Sequence, residues 1–256
     1  MKKTILLPVF IITFIFQAFP QFSKITDDSS GVEIIFTAGN SIFPQSWYGG
    51  QIKGVAESLD TSEIKRSVEI VKKALAKYPS GVLKKNLKKV YVLKKLSFYG
   101  VDYGGTNTKD VVYLANKGLS QNYTDEFIER AFHAEFSSVL MANYPKALDQ
   151  KKWAAINGKD FQYGAVNGYE AIKAGKSSED YEKKILEFGF LNEYAMSTLE
   201  NDFNSFAKNL FYAEGDFWKI AEANSRLTMK LQLILDFYKT VDIKLTKEYF
   251  KKLAEL

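Results

Sequence analysis

The amino-acid sequence predicts an α+β fold, and three observations predict it. Short strand-like segments lie between Val32 and Ala115, helical spacing dominates from Thr124 onward, and a helix of about 19 residues stands at the junction. Residues 22–256 read as one domain, because 46% hydrophobic and 25% charged residues are ordinary for a chain that buries a core.

Ahead of that domain, Lys2 and Lys3 precede an apolar run from Ile5 to Phe19 that contains Pro8. The run is shorter than the roughly 20 residues a membrane span needs, and Ala18-Phe-Pro-Gln21 leads into polar sequence. Residues 1–21 are therefore expected to be a secretory signal peptide cleaved near Gln21 or Phe22, with an uncleaved anchor as the competing reading. Cleavage leaves no membrane span and implies a secreted or periplasmic protein. With no cysteine in the chain, neither a lipid-modified N-terminus nor a disulfide is available.

Within the domain, Val32–Phe36 is a short strand candidate, followed by a Gly/Pro/Ser-rich connection through Gly50. From Thr61 to Lys77 the residues Ile64, Val68, Val71 and Leu75 recur at helical spacing, and Tyr78-Pro-Ser-Gly81 ends the run. Lys89–Leu96 alternates as a half-buried strand does, and Asp110–Ala115 is β-branched. The glycine-rich turn between them, Tyr99–Thr106, lacks the spacing of a phosphate-cradling loop. Lys146–Gly175 is irregular, helices resume at Ser178–Phe188, and Gly189–Thr198 is loop-like. Helical spacing restarts at Glu200–Ala207, and two further helices are expected at Asp216–Tyr238 and Thr246–Leu256.

Charge excludes one class of partner. Lysines and acids are interspersed, and loss of Lys2 and Lys3 brings the net charge from +5 to +3, so no dedicated nucleic-acid surface is expected. The lysines at 84, 85, 88, 89, 94 and 95 read as solvated faces of a helix end and a strand.

The junction helix carries the chemistry. Thr124 suits the N-cap, Asp125 and Glu126 suit the positive first turn, and Tyr144-Pro145 ends the helix after Asn143. Ile128, Phe132 and Val139 form an apolar row that Glu135 completes, so a carboxylate points inward and must be paired, hydrogen-bonded or protonated. Ala134 and Ser138 lie one above the other on the neighbouring row. His133 is the only histidine, which excludes sites built on two or three imidazoles, on thiolates, or on a Cys–His pair. Nor is there a Gly-x-Ser-x-Gly elbow for a serine nucleophile.

Taken together, the strand, glycine-rich turn, second strand, helix Ala131-Phe-His-Ala-Glu-Phe-Ser-Ser138 and later Gly189-Phe-Leu-Asn-Glu-Tyr-Ala-Met-Ser…Asp202-Phe203 resemble the zinc metallopeptidases of bacterial envelopes. The resemblance is greatest to the zinc metallohydrolases associated with substrate import in Bacteroidetes-type bacteria, whose motif helix reads His-His-Glu-Phe-x-His. It spans Val90 to the C-terminus as scattered short matches and implies a zincin-like fold. In such proteins two imidazoles on one helix face and a later carboxylate hold zinc, and the motif glutamate activates a bound water. Here the general-base position is Glu135, whereas the ligand positions fall at Ala134, Ser138 and, for the closing glutamate, Ser205. The family's earlier acid falls at Asn201.

His133, Tyr194, Glu200 and Asp202 are the residues expected in the cleft. The resemblance thus implies an exported, metallopeptidase-like protein with a vestigial Glu135, no zinc, and a cleft that binds a peptide, a glycan or an envelope protein. The alternative is an active hydrolase whose metal is held by His133, Glu135 and an acid from Glu200 or Asp202. Aromatic residues at Trp47-Tyr48 and Trp153–Tyr163 read either as core or as groove lining.

Overall fold

A computed structural model describes residues 23–164, 168–212 and 215–255. The expected signal peptide lies outside the described residues. The sheet comprises β1 (Lys24–Thr26), β2 (Glu33–Ile35), β3 (Val55–Ser58), β4 (Lys89–Phe98), β5 (Val101–Asp102), β6 (Gly105–Asn107) and β7 (Val111–Ala115). Its main path runs β1-β2-β4-β7-β6, with β3 and β5 also pairing with β4. β2 and β7 flank β4 in parallel, and β6 pairs antiparallel with β7 as the edge strand of that path.

The central position of β4 corrects one expectation. Its alternation separates two buried faces rather than a buried face from a solvated one. Val90 and Val92 join the main core, while Tyr91 and Leu93 join a smaller aromatic cluster with Phe43, Phe98 and Tyr113. Around it the lysine run behaves as expected: Lys88 pairs with Asp110, Lys94 with Asp60 and Lys95 with Asp102.

Helices α1 (Ile64–Leu75) and α2 (Ser80–Asn86) precede β4. The junction helix, α3, spans Asp125–Asn143, and the Thr124 hydroxyl accepts the Phe127 amide 3.1 Å away as its N-cap. The helical half continues with α4 (Gln150–Ile156), α5 (Gly168–Lys173), α6 (Lys183–Glu187), α7 (Leu199–Tyr212), α8 (Gly215–Ala223), α9 (Ser225–Val241) and α10 (Lys247–Leu253). α3 packs against β6 and β7 on one side and α7 on the other, which makes it the central element of the fold.

Two differences from the sequence reading have local causes. The irregular stretch holds α4, which Asp149 caps by accepting the Lys152 amide at 2.9 Å and Trp153 anchors in the core. The long helix expected at Asp216–Tyr238 is broken at Asn224, whose side chain accepts the amides of Arg226 and Leu227 and starts α9 afresh. Among the described residues, no helix is long and apolar enough to cross a membrane.

Candidate functional site

Along α3, Ile128, Phe132 and Val139 are fully buried, and Glu135 extends their row to the edge of the sheet. There it meets Gly105 of β6 so closely that a Cβ on that glycine would lie 2.8 Å from Glu135 Cγ and 2.9 Å from Oε1. Gly105 is thus the residue that lets the sheet edge approach the carboxyl. Asn107, two residues on and so on the same face of β6, donates its side-chain amide to Glu135 Oε2 at 2.7 Å. Burial is the largest influence on Glu135, and the nearby charge of Glu200 adds to it. Against the lowering effect of Asn107, they push the carboxyl up to about 7.

Glu135 stands where two cavities of about 740 and 400 Å³ adjoin. Both are lined by Tyr103, Gly105, Glu135, Tyr194, Asn201 and Asn204, so together they form one cleft between the sheet edge and α7. Ala134 and Ser205 line the larger part, Ser138 and Glu200 the smaller. The structure therefore gathers Ala134, Glu135, Ser138, Tyr194, Glu200 and Ser205 around one space. Burial, then the charge of Glu135, raises the Tyr194 phenol above its ordinary range.

His133 and Asp202 do not line either cavity, which corrects the expectation for both. His133 lies on the other side of α3, fully buried, with the Tyr78 hydroxyl 3.0 Å from Nδ1 and the Phe211 ring stacked on it. Its Nε2 is 3.7 Å from Glu129, too long for a hydrogen bond, and burial pulls its pKa down to about 4. Asp202 points into the helical core, where its Oδ2 accepts from Lys230 at 2.7 Å, Tyr163 at 2.8 Å and Trp153 Nε1 at 2.9 Å. Trp153 and Tyr163 accordingly serve the core, whereas Trp47 lines the smaller cavity.

On α7 the group that meets Ser138 is Asn204, whose side-chain amide donates to the Ser138 hydroxyl at 2.8 Å. Ser205, the expected position of the closing carboxylate, turns its hydroxyl back to the Asp202 carbonyl at 2.7 Å. Sequence reasoning missed Asn107 and Asn204. The signal for Asn204 was its place one turn after Glu200 on the helix whose partner face carries Ser138.

These donors do not fit zinc. The positions facing one another across α3 and α7 carry a methyl group, a hydroxyl and an amide already bonded to that hydroxyl. Among the described residues, no group of three or more His, Cys, Asp or Glu side chains could hold a metal ion. The alternative set of His133, Glu135 and an acid from Glu200 or Asp202 does not assemble, because His133 is enclosed in the core on the other side of α3 and Asp202 in the helical core, whereas Glu135 and Glu200 line the cleft.

The fold is α+β with an N-terminal sheet and a helical C-terminal half, and it is shared with a solved structure. The chain is similar to the crystal structure of a "putative zinc-binding metallo-peptidase" from Bacteroides caccae ATCC 43185, with a TM-score of 0.51, 12% sequence identity and 89% of each chain covered. At that identity the likeness is one of fold. No family profile matches the chain, and no curated protein matches it.

Proposed function

We propose that this chain is an exported metallopeptidase-like protein that has given up zinc catalysis and uses its cleft as a binding site in the cell envelope. The observation that carries the reading is the Asn204–Ser138 hydrogen bond, which joins α7 to α3 where a zincin would join them through a metal. Ala134 leaves a methyl group at the other imidazole position. Glu135 survives, but without a metal-bound water beside it the zinc-dependent hydrolysis of such folds has no activated nucleophile. The polar cleft remains, and its size suits a small ligand or one side chain of a larger one.

Two measurements test this. Purified protein is expected to carry far less than one equivalent of zinc and to be unchanged by chelator. Stoichiometric zinc whose removal abolishes a hydrolytic activity would overturn the reading. In addition, Ala134→His, Ser138→His and Asn204→Glu together, Asn204 rather than Ser205 being the α7 side chain that reaches Ser138, are expected to gain about one equivalent of zinc, as three protein ligands would on a zincin scaffold. A folded triple variant without zinc would count against the kinship. Sequencing the N-terminus of the exported protein checks the expected cleavage near Gln21.

A further inference from the structure

The smaller part of the cleft has an unusual lining for a protein of net charge +5. Two acids, Glu135 and Glu200, border it, and among the described residues no lysine or arginine does. Neither carboxylate has a salt-bridge partner among the described residues, although most other acids near the cleft do. Asp102 pairs with Lys117, Glu126 with Arg130, and Glu179 with Lys208. Each of the amides around the space has one N–H engaged. Asn107 gives to Glu135, Asn201 to Ser197 and Asn204 to Ser138.

The charged side chains on offer there, Glu135 and Glu200, are both acids. Asn204 is nine-tenths buried and lines the cavity, and its Oδ1 has no hydrogen-bond partner among the described residues. A buried acceptor left unmet is costly, so its natural complement is a donor arriving with a ligand. Aromatic rings complete the wall: Trp47, Phe98, Tyr99, Tyr103 and Tyr194. At the rim, Tyr99 stacks on Tyr169 with centroids 4.5 Å apart. Carboxyl groups, an unpartnered carbonyl and ring faces attract the same kind of group, a compact organic cation rich in N–H donors. An anion would meet Glu135 and Glu200 with no lysine or arginine among the described lining residues to offset them, and a neutral apolar group would leave Asn204 unpaired.

We propose that the part of the cleft bounded by Glu135, Glu200 and Asn204 binds an ammonium or guanidinium group of a peptide. A volume of about 400 Å³ accommodates a lysine or arginine side chain or a peptide N-terminus. The inference rests on the reading of the cleft as a zinc-free binding site, and it adds the class of ligand.

The test titrates the full mature protein, by NMR, with four probes. Nα-acetyl-lysine amide and Nα-acetyl-arginine amide carry a side-chain cation, norleucine amide carries only an α-ammonium, and Nα-acetyl-norleucine amide is uncharged. At least one cationic probe is expected to bind about tenfold or more tightly than the uncharged one, the worth of one charge-assisted hydrogen bond, and the best of the three identifies the source. Glu135→Gln and Glu200→Gln, each checked for folding by its thermal transition, are expected to remove most of that preference. Equal binding of the uncharged probe, or no binding by any cationic probe, overturns the inference. Zinc is assayed on the same sample. A zinc-free sample that ignores every cation refutes this inference alone, whereas chelatable stoichiometric zinc refutes the reading beneath it.

Discussion

Glu135 sits on a helix row otherwise occupied by Ile128, Phe132 and Val139, so ionising it costs folding free energy, and a glutamine in its place isolates that cost. In the unfolded chain the carboxyl loses its proton near 4.5, and in the fold near about 7. Below 4.5 both states are protonated and there is no penalty. As pH rises the unfolded state ionises first, so the penalty grows until the folded carboxyl also ionises, and it is fully present above 7. At about 1.4 kcal/mol per pH unit the difference is about 3 kcal/mol, and contact with solvent at the cleft reduces it to about 2. Glu135→Gln keeps the shape of the side chain and a partner for Asn107 but cannot ionise. Urea unfolding of both proteins from pH 4 to 8 is expected to show nearly equal stability at pH 4 and a variant about 2 kcal/mol more stable at pH 8. A difference that does not change with pH, or a variant less stable at pH 8, would refute the reasoning.

His133 works in the opposite sense. Its pKa falls from 6.5 to about 4 on burial, so the unfolded chain takes up a proton first and stability is lost as pH falls through that window, by about 3 kcal/mol in all. Glu135 partly masks this loss between 4.5 and 6.5, so the measurement belongs in the Glu135→Gln background. The urea midpoint should drop between pH 6.5 and 4, and a drop that persists unchanged after His133→Phe would assign it elsewhere. Lys230→Met leaves Asp202 buried without its cation and is expected to cost about 3–5 kcal/mol in chemical denaturation, whereas adding Asp202→Leu should restore much of the loss. If the double variant is no more stable than the single one, the pair contributes through packing rather than charge.

The α+β order was readable because hydrophobic period is a local property: α3 shows Thr124 at its start and Tyr144-Pro145 at its end. The break at Asn224 was hidden because an asparagine inside a periodic run looks like any exposed polar residue until its side chain is seen capping the next helix. β4 read as half-buried because its alternation distinguishes two faces without saying what covers each. In the site, Glu135 stood out by its place in an apolar row, and Ala134 and Ser138 through the resemblance; all three line the cleft because they share one helix. Asn204 was not legible, since which face of α7 meets α3 depends on packing, and Asp202 was misplaced for the same reason. The lone histidine attracted a functional reading by its rarity, but it fills a core position against Phe211 and Tyr78.

Lys230 reaches beyond its partner on α7. The same ammonium donates to the Gly189 carbonyl at 2.8 Å, at the start of the loop that delivers Tyr194 to the cleft. One side chain on α9 thereby ties the rear of the molecule to the placement of a tyrosine at the front. Substitutions that shift α9 by a fraction of an ångström would reshape the mouth of the cleft without touching any atom in it.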